Sequence, residues 1–450
     1  MSLREIVDGQ RKFFRSGKTR ELTWRREKLA RLEAVLVEKK DAILESLAAD
    51  LGKPGMEAFL CEYYFLLEEV RLVRKKMKGW LKRKRVGSPF YFQPARSWIE
   101  RHPFGVVLIM APWNYPFQLS LSPLIAAIAA GNSVVLKPSE MASHSERLIA
   151  EIVAEVFANY GAAVVTGGVE VAKGLLEDKF DFIFFTGSTA VGRQVAEIAG
   201  RALTPALLEL GGKCPCVVSR KADLTLTARR VVAGKFLNAG QTCFAPDFVL
   251  VEAAVEKEVL QCLREVLEEV PWDEEMACVI SGKHFERLES LCEGRLEQFG
   301  KDEAERRYLA PRLVSGVDWE HPAMKEEIFG PVLPVKVFQD EDELMGDLGK
   351  LESCLAVYCF SKDAEFVEKV AGGLPSGSLC VNDTMKQLSQ LKLPLGGVGP
   401  SGHGRYRGRH GVEAFSYEKS VTKRYFVGKD LMELMPPYEK AYRWIKKFMR

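Results

Sequence analysis

Apolar positions recur at helical spacing on a charged background through the first 80 residues. RREKLARLEAVLVEKKDAILESLAADL and FLLEEVRLVRKKMKGWL both predict amphipathic helices. From residue 105 the pattern changes. GVVLIMA is a short apolar run ended by Pro112, which predicts a buried strand entering a loop. LSPLIAAIAAG reads as a helix stopped by Gly131, NSVVLKPSE as a strand, and SERLIAEIVAEVFANYG as a helix closed by Gly161. AAVVTGG, DFIFFTGS and PALLELGG follow as strands, with VEVAKGLLED and TAVGRQVAEIAG as the helices between them. The second half continues with helical ADLTLTARRVVAGKFLNAG, the strand FVLVE, the helix AVEKEVLQCLREVLEEV, then CLAVYCF, DAEFVEKVAG and GSLCVND. The glycine-rich run 394–411 is expected to be a loop. Strands alternating with helices predict an α/β fold with parallel sheets covered on both faces. Two such domains, divided near residue 211, are the economical reading.

Composition narrows the class. An apolar fraction of 47% and a charged fraction of 28% over 450 residues are those of a soluble globular protein. A net charge of +3 does not argue for nucleic acid. The basic run RKKMKGWLKRKR (74–85) reads as a solvated helix face and connector. The start of the chain carries no signal-type apolar stretch, and ten cysteines without a CxxC pair fit free thiols in a reducing compartment. A cytoplasmic protein is therefore expected. Six scattered histidines give no metal spacing, so no metal is expected.

Four stretches carry candidate chemistry. FFTGSTAVGR has the strand, glycine turn and helix order of a dinucleotide site, with Thr186, Gly187, Ser188, Val191 and Gly192 at the turn. Its spacing is not GxGxxG, so taken alone it is equally an ordinary βα turn. VVLKPSE puts Lys137 and Glu140 at a strand's carboxyl end, where a ribose can be met. APWNYPF offers the Asn114 amide as a donor to a developing oxyanion. LLELGGK leaves Glu209 at the end of an apolar strand, where desolvation raises a carboxylate toward general-base use. Each has a bland structural reading too. Cys243, in NAGQTCFAPD, differs from the other nine thiols by lying in a glycine-containing loop rich in possible N–H donors. No histidine neighbours it, so activation is expected from loop amides and a nearby cofactor, starting from an ordinary thiol pKa of about 8.5.

Together, APWNYPF, AGNSVVLKPSE, FTGSTAVGR, LELGGK, GQTCFAPD, EEIFGPVLP and PLGGVGPSG resemble the aldehyde dehydrogenase superfamily in order and separation, nearest its class 3 branch. The resemblance implies a Rossmann-like cofactor domain (1–85 and 104–210), a catalytic domain (211–390), and a small β element for oligomerisation or bridging (86–103 and 391–450). It implies Cys243 as nucleophile, Asn114 as oxyanion donor and Glu209 as the base for water. Trp113, Lys137, Glu140, Thr186, Gly187, Ser188, Val191, Gly192, Leu210, Gly211, Glu327 and Phe329 would contact NAD or NADP. Medium- to long-chain or aromatic aldehydes and a homodimer follow from the same resemblance. A CoA-acylating semialdehyde dehydrogenase and a non-catalytic structural relative are the alternatives; the presence of Glu209, Cys243 and Asn114 speaks against both. Pro400 departs from the small polar residue of many relatives and is expected to alter the substrate entrance. Cys214 is expected to be structural. The C-terminal YEKAYRWIKKFMR can be a tail packed on the body or across a dimer, or a peripheral membrane helix.

Overall fold

The computed structural model describes residues 2–89, 92–426, 436–439, 442, 443 and 446. Most of the C-terminal tail, and with it the membrane-helix reading, lies outside the described residues. No helix among the described residues is long and apolar enough to cross a membrane.

Three sheets organise the chain. The first has six strands, in the order Gly402–His403, Ala206–Glu209, Phe182–Thr186, Val106–Met110, Ser133–Lys137, Ala162–Val164. All its pairings are parallel except that of Gly402–His403. The chain runs outward from Val106–Met110 through Ser133–Lys137 to Ala162–Val164, then returns to the other side of its first strand with Phe182–Thr186. That reversal opens a crevice at the carboxyl ends of Val106–Met110 and Phe182–Thr186, the place where open parallel sheets take ligands. The first of these strands feeds APWNYPF, the second feeds GSTAVG.

The second sheet has seven strands, in the order Arg295–Gln298, Arg312–Ser315, Val332–Phe338, Phe248–Glu252, Pro215–Val218, Cys354–Phe360, Ser376–Val381. It is parallel apart from its first pair. The third is a three-stranded antiparallel ribbon of Lys84–Val86, Ala95–Pro103 and Ser416–Arg424.

Local corrections to the sequence reading have local causes. The long N-terminal helix is two, Leu22–Glu38 and Lys40–Leu51, because Lys39 leaves helical geometry. Helix Ser143–Phe157 ends three residues before Gly161, on Ala158 in the left-handed region. The 394–411 run is not all loop: its Gly402–His403 pairs with Leu208–Glu209, and helix Gly408–Ala414 begins inside it. The basic run at 74–85 ends helix Phe65–Trp80, which buries Val70, Val73 and Met77, while Arg74 pairs with Glu33 and Arg83 with Glu100.

Candidate active site

Helix Leu224–Phe236 stops before the Cys243 loop, not within it. Asn238, Ala239 and Gly240 then take three successive left-handed conformations, with φ of 56°, 53° and 71°. Two of them are not glycine, so the turn is strained and has to be held from outside. It is held thoroughly. The Asn238 N–H donates to Glu57 Oε2 at 2.9 Å, and Asn238 Nδ2 donates to the Asn114 carbonyl at 3.0 Å. Gln241 Nε2 donates to the carbonyls of Asn238 and Cys278, and Gln241 Oε1 accepts from the Ile280 N–H. A Cβ at Gly240 would lie 2.3 Å from the Gly330 carbonyl oxygen, so only glycine lets this loop rest on IFGP.

Cys243 follows on that rigid turn and is half-buried. Burial raises its thiol pKa, and the carboxylates of Glu327 and Glu209 raise it further. The ordinary thiol expected from the sequence is therefore corrected upward: burial and two acids outweigh the opposing charge of Arg407. Cys214 is fully buried and its Sγ donates to the Cys243 carbonyl at 3.4 Å, a supporting contact behind the nucleophile.

Asn114 is buried in the turn between Met110 and helix Pro116–Ala130. Its Nδ2 donates to the Gln241 carbonyl at 3.0 Å. A carboxamide has a second N–H, so one fixes the group while the other can serve a ligand. Beside it, Tyr115 Oη and Thr242 Oγ1 lie 2.7 Å apart. The expected oxyanion donor and the nucleophile loop are thus fastened together at both side chain and main chain.

Glu209 is 4% exposed, and neither carboxylate oxygen has a hydrogen-bond partner among the described residues. Its backbone is fixed between Thr186 and Gly402. Burial holds its pKa well above the carboxylate range; Arg407 and Arg405 pull it part of the way back. Glu327 closes the other side. Its carboxyl lies against Gly211, where a Cβ would fall 2.0 Å from Oε2, and it accepts from the Gly212 N–H. Burial and Asp247 push it up to about 8. Asp247 ties the loops together, accepting from the Ile328 N–H at 2.9 Å and from Lys213 at 2.5 Å.

These residues fall within a recognisable family. The profile of the aldehyde dehydrogenase family matches residues 2–421. The chain belongs to the aldehyde dehydrogenase family. It is 38% identical to the 4,4'-diaponeurosporen-aldehyde dehydrogenase of Staphylococcus aureus over 97% of both chains. It is 37% identical to a dimeric NADP-preferring aldehyde dehydrogenase of Canis lupus familiaris, over 93% of this chain and 94% of the relative. Among solved structures, the substrate-bound state of Staphylococcus aureus AldH superposes with a TM-score of 0.97 at 36% identity, covering 100% of both chains. The protein is thus an oxidoreductase acting on aldehydes, and its family uses NAD(P).

The residues of this aldehyde dehydrogenase fit such a cofactor. Ser188 caps helix Thr189–Arg201, accepting from the Val191 N–H, and leaves that helix's first amides facing the crevice where an anionic phosphate is favoured. A Cβ at Gly192 would lie 2.5 Å from Leu210, so the glycine lets the helix close onto the strand. Thr186 Oγ1 is buried without a partner among the described residues. Lys137, at its strand's end, donates to Glu140 at 2.8 Å. Trp113 meets Phe329 edge-to-face at 5.5 Å, and Phe329 itself is left-handed with φ of 53°. A cavity of about 370 Å³ joins Thr189, Gly211, Gly212, Glu327 and Pro400. Pro400 borders this cavity, and its carbonyl accepts from the Thr189 hydroxyl at 3.3 Å.

Nothing in the sequence pointed to Lys235. It is fully buried, its Nζ has no hydrogen-bond partner among the described residues, and burial lowers it to about 8 despite Asp247 and Glu327 nearby. Nor did the sequence single out Lys53, Glu62 or Arg407, all ionisable and buried, or the half-buried Glu57, which burial raises to about 7. A polar residue bound for the interior looks like a surface residue until its partner, far along the chain, is known.

The state of Glu209 has a consequence for stability. A carboxyl whose folded pKa is raised contributes stability fully below its unfolded pKa, about 4.3, and loses it as pH rises toward the folded value. Glu209→Gln removes the ionisation. Its melting temperature should match wild type near pH 5 and exceed it increasingly toward pH 9. A constant difference across that range, read by differential scanning fluorimetry, would place Glu209 in a better-solvated state.

Proposed function

We propose that this chain oxidises long, apolar aldehydes to carboxylic acids by covalent catalysis at Cys243, with water as the acyl acceptor. The observation that carries the reading is a cavity of about 640 Å³ that reaches Tyr115, the residue bonded to Thr242 beside the nucleophile. Leu60, Tyr64, Phe65, Leu72, Leu237 and Met385 give it an apolar lining, with Lys386 and Lys392 among its residues. Such a wall gains about 0.8 kcal/mol per methylene buried and offers little to a short or charged aldehyde.

In the reaction, the Cys243 thiol gives up its proton to water and the sulfur adds to the aldehyde carbon. The second N–H of Asn114 and the main-chain N–H of Cys243 receive the oxygen as it gains charge. Lys137 and Glu140 would hold the adenosine ribose, the amides behind Ser188 the pyrophosphate, and Glu327 and Phe329 the nicotinamide end. A nicotinamide bound there would supply the hydride acceptor that oxidation of the substrate carbon requires, leaving a thioester on Cys243. Glu209 then takes a proton from water as it attacks that thioester. Its two unpaired oxygens and raised pKa suit it to this task once it is deprotonated. Glu140 supports NAD, since its charge opposes a 2′-phosphate. Its surface position beside Lys137 leaves NADP usable.

The test is NAD(P)H formation across unbranched aldehydes from two to sixteen carbons, without CoA. kcat/KM should climb with each added pair of carbons by up to about tenfold before levelling. A preference for the shortest members would refute the assignment of the cavity, and a requirement for CoA would refute the role of water.

A further inference from the structure

We propose that Lys53 is a positioning residue for the reaction: its ammonium fixes the main chain of Asn114 so that the Asn114 amide is held ready for the oxyanion. The proposal rests on the reading of Asn114 as an oxyanion donor.

Lys53 comes from a part of the chain far from every recognised motif. Helix Lys40–Leu51 ends on Gly52, left-handed with φ of 58°, where a Cβ would lie 2.8 Å from Cys278 Sγ. That close turn sends Lys53 inward, and its side chain has no solvent exposure at all. The ammonium donates to Glu62 Oε1 at 2.7 Å and to the Asn114 carbonyl at 3.0 Å, and it sits 4.2 Å above the Tyr115 ring. Glu62 is equally buried. It lies in a π-helical stretch, Ala58–Tyr64, which leaves neighbouring Leu60, Cys61 and Tyr64 lining the aldehyde cavity. Its Oε2 accepts from the N–H groups of Phe117 and Gln118, both at 3.0 Å, the first turn of helix Pro116–Ala130.

Helix capping alone does not call for the lysine. Glu62 already satisfies two free N–H groups at the positive end of a helix, a favourable site for a carboxylate. What Lys53 adds is a bond to the Asn114 carbonyl, which also accepts from Asn238 Nδ2. Two donors occupy both lone pairs of that oxygen. Buried ion pairs contribute little net stability compared with well-packed apolar side chains. Geometry is the better account of this one: ammonium, capped helix and strained Asn238 turn together leave the Asn114 peptide one orientation. Tyr115 is fixed by the same cation on its face and by Thr242 at its hydroxyl.

The experiment is a double-mutant cycle between Lys53→Met and Asn114→Ala, with kcat and KM measured on a long-chain aldehyde after titration of active sites. Asn114→Ala should lower kcat roughly 10²–10³-fold. Lys53→Met should lower kcat roughly 10- to 100-fold, with both KM values nearly unchanged. Added to Asn114→Ala, it should cost no more than about a further twofold. Lys53→Gln, shorter and uncharged, repeats the cycle where the methionine variant does not fold. Undiminished kcat in either Lys53 variant would overturn the proposal, as would effects that multiply in the double variant. Undiminished kcat in Asn114→Ala would instead remove the oxyanion reading on which it stands.

Discussion

Replacing Cys243 by alanine should abolish aldehyde oxidation, lowering kcat by at least about 10⁴-fold, the scale seen when a covalent nucleophile is deleted. The fold should hardly notice. Cys243 is a small, half-buried side chain at the edge of the core, and its main-chain carbonyl accepts from Cys214 Sγ. The thermal midpoint should therefore move by less than the equivalent of about 1 kcal/mol. The other nine thiols give the contrast. Cys214, Cys216, Cys354 and Cys359 are buried among apolar strands, and their loss should lower stability before it lowers turnover. If Cys243→Ala oxidises aldehydes at the wild-type rate, covalent catalysis at this position is excluded.

Glu209→Gln should separate the two halves of the reaction. Formation of the thioester makes no demand on the Glu209 carboxylate, whereas attack by water does. Mixing the variant with aldehyde and NAD(P) should give a rapid burst of reduced cofactor close to one equivalent per site. Turnover after it should be slower than wild type by roughly 10²–10⁴-fold, the usual contribution of a general base. Wild-type kcat should also rise with pH as Glu209 loses its proton, since its pKa lies well above the carboxylate range. That limb should vanish in the variant. Full steady-state turnover by Glu209→Gln, or a pH limb that survives in it, would assign water activation elsewhere.

Much of this was legible in the chain, for reasons that differ between fold and site. Strands such as Val106–Met110 and Phe182–Thr186 are buried along their whole length, so their apolar runs were unmistakable. Ser416–Arg424 and Arg295–Gln298, mostly exposed, carry no such run and were not foreseen. The helical reading of 222–240 overran because the composition through Ala239 remains compatible with helix. The break at Asn238 comes from Glu57, 181 residues away. At the site, Cys243, Asn114 and Glu209 were visible because each stands in a loop or strand end whose composition is unusual. Lys53 was not. Its role depends on Glu62 and Asn114, and neither spacing nor periodicity could pair a lysine after Gly52 with a carbonyl 61 residues on. The same holds for Pro400, whose neighbours are set by a bond from Thr189 across the crevice.

The central claim is that the acyl group of the aldehyde passes through the sulfur of Cys243. It is tested most directly by incubating Glu209→Gln with a long-chain aldehyde and NAD(P), quenching in acid, and mapping the adduct by peptide mass spectrometry. The expected result is one acyl group per chain, on the peptide carrying Cys243, absent when cofactor is omitted and absent in the Cys243→Ala, Glu209→Gln double variant. An unmodified Cys243 while carboxylic acid accumulates, or an acyl group on a different cysteine, would contradict it.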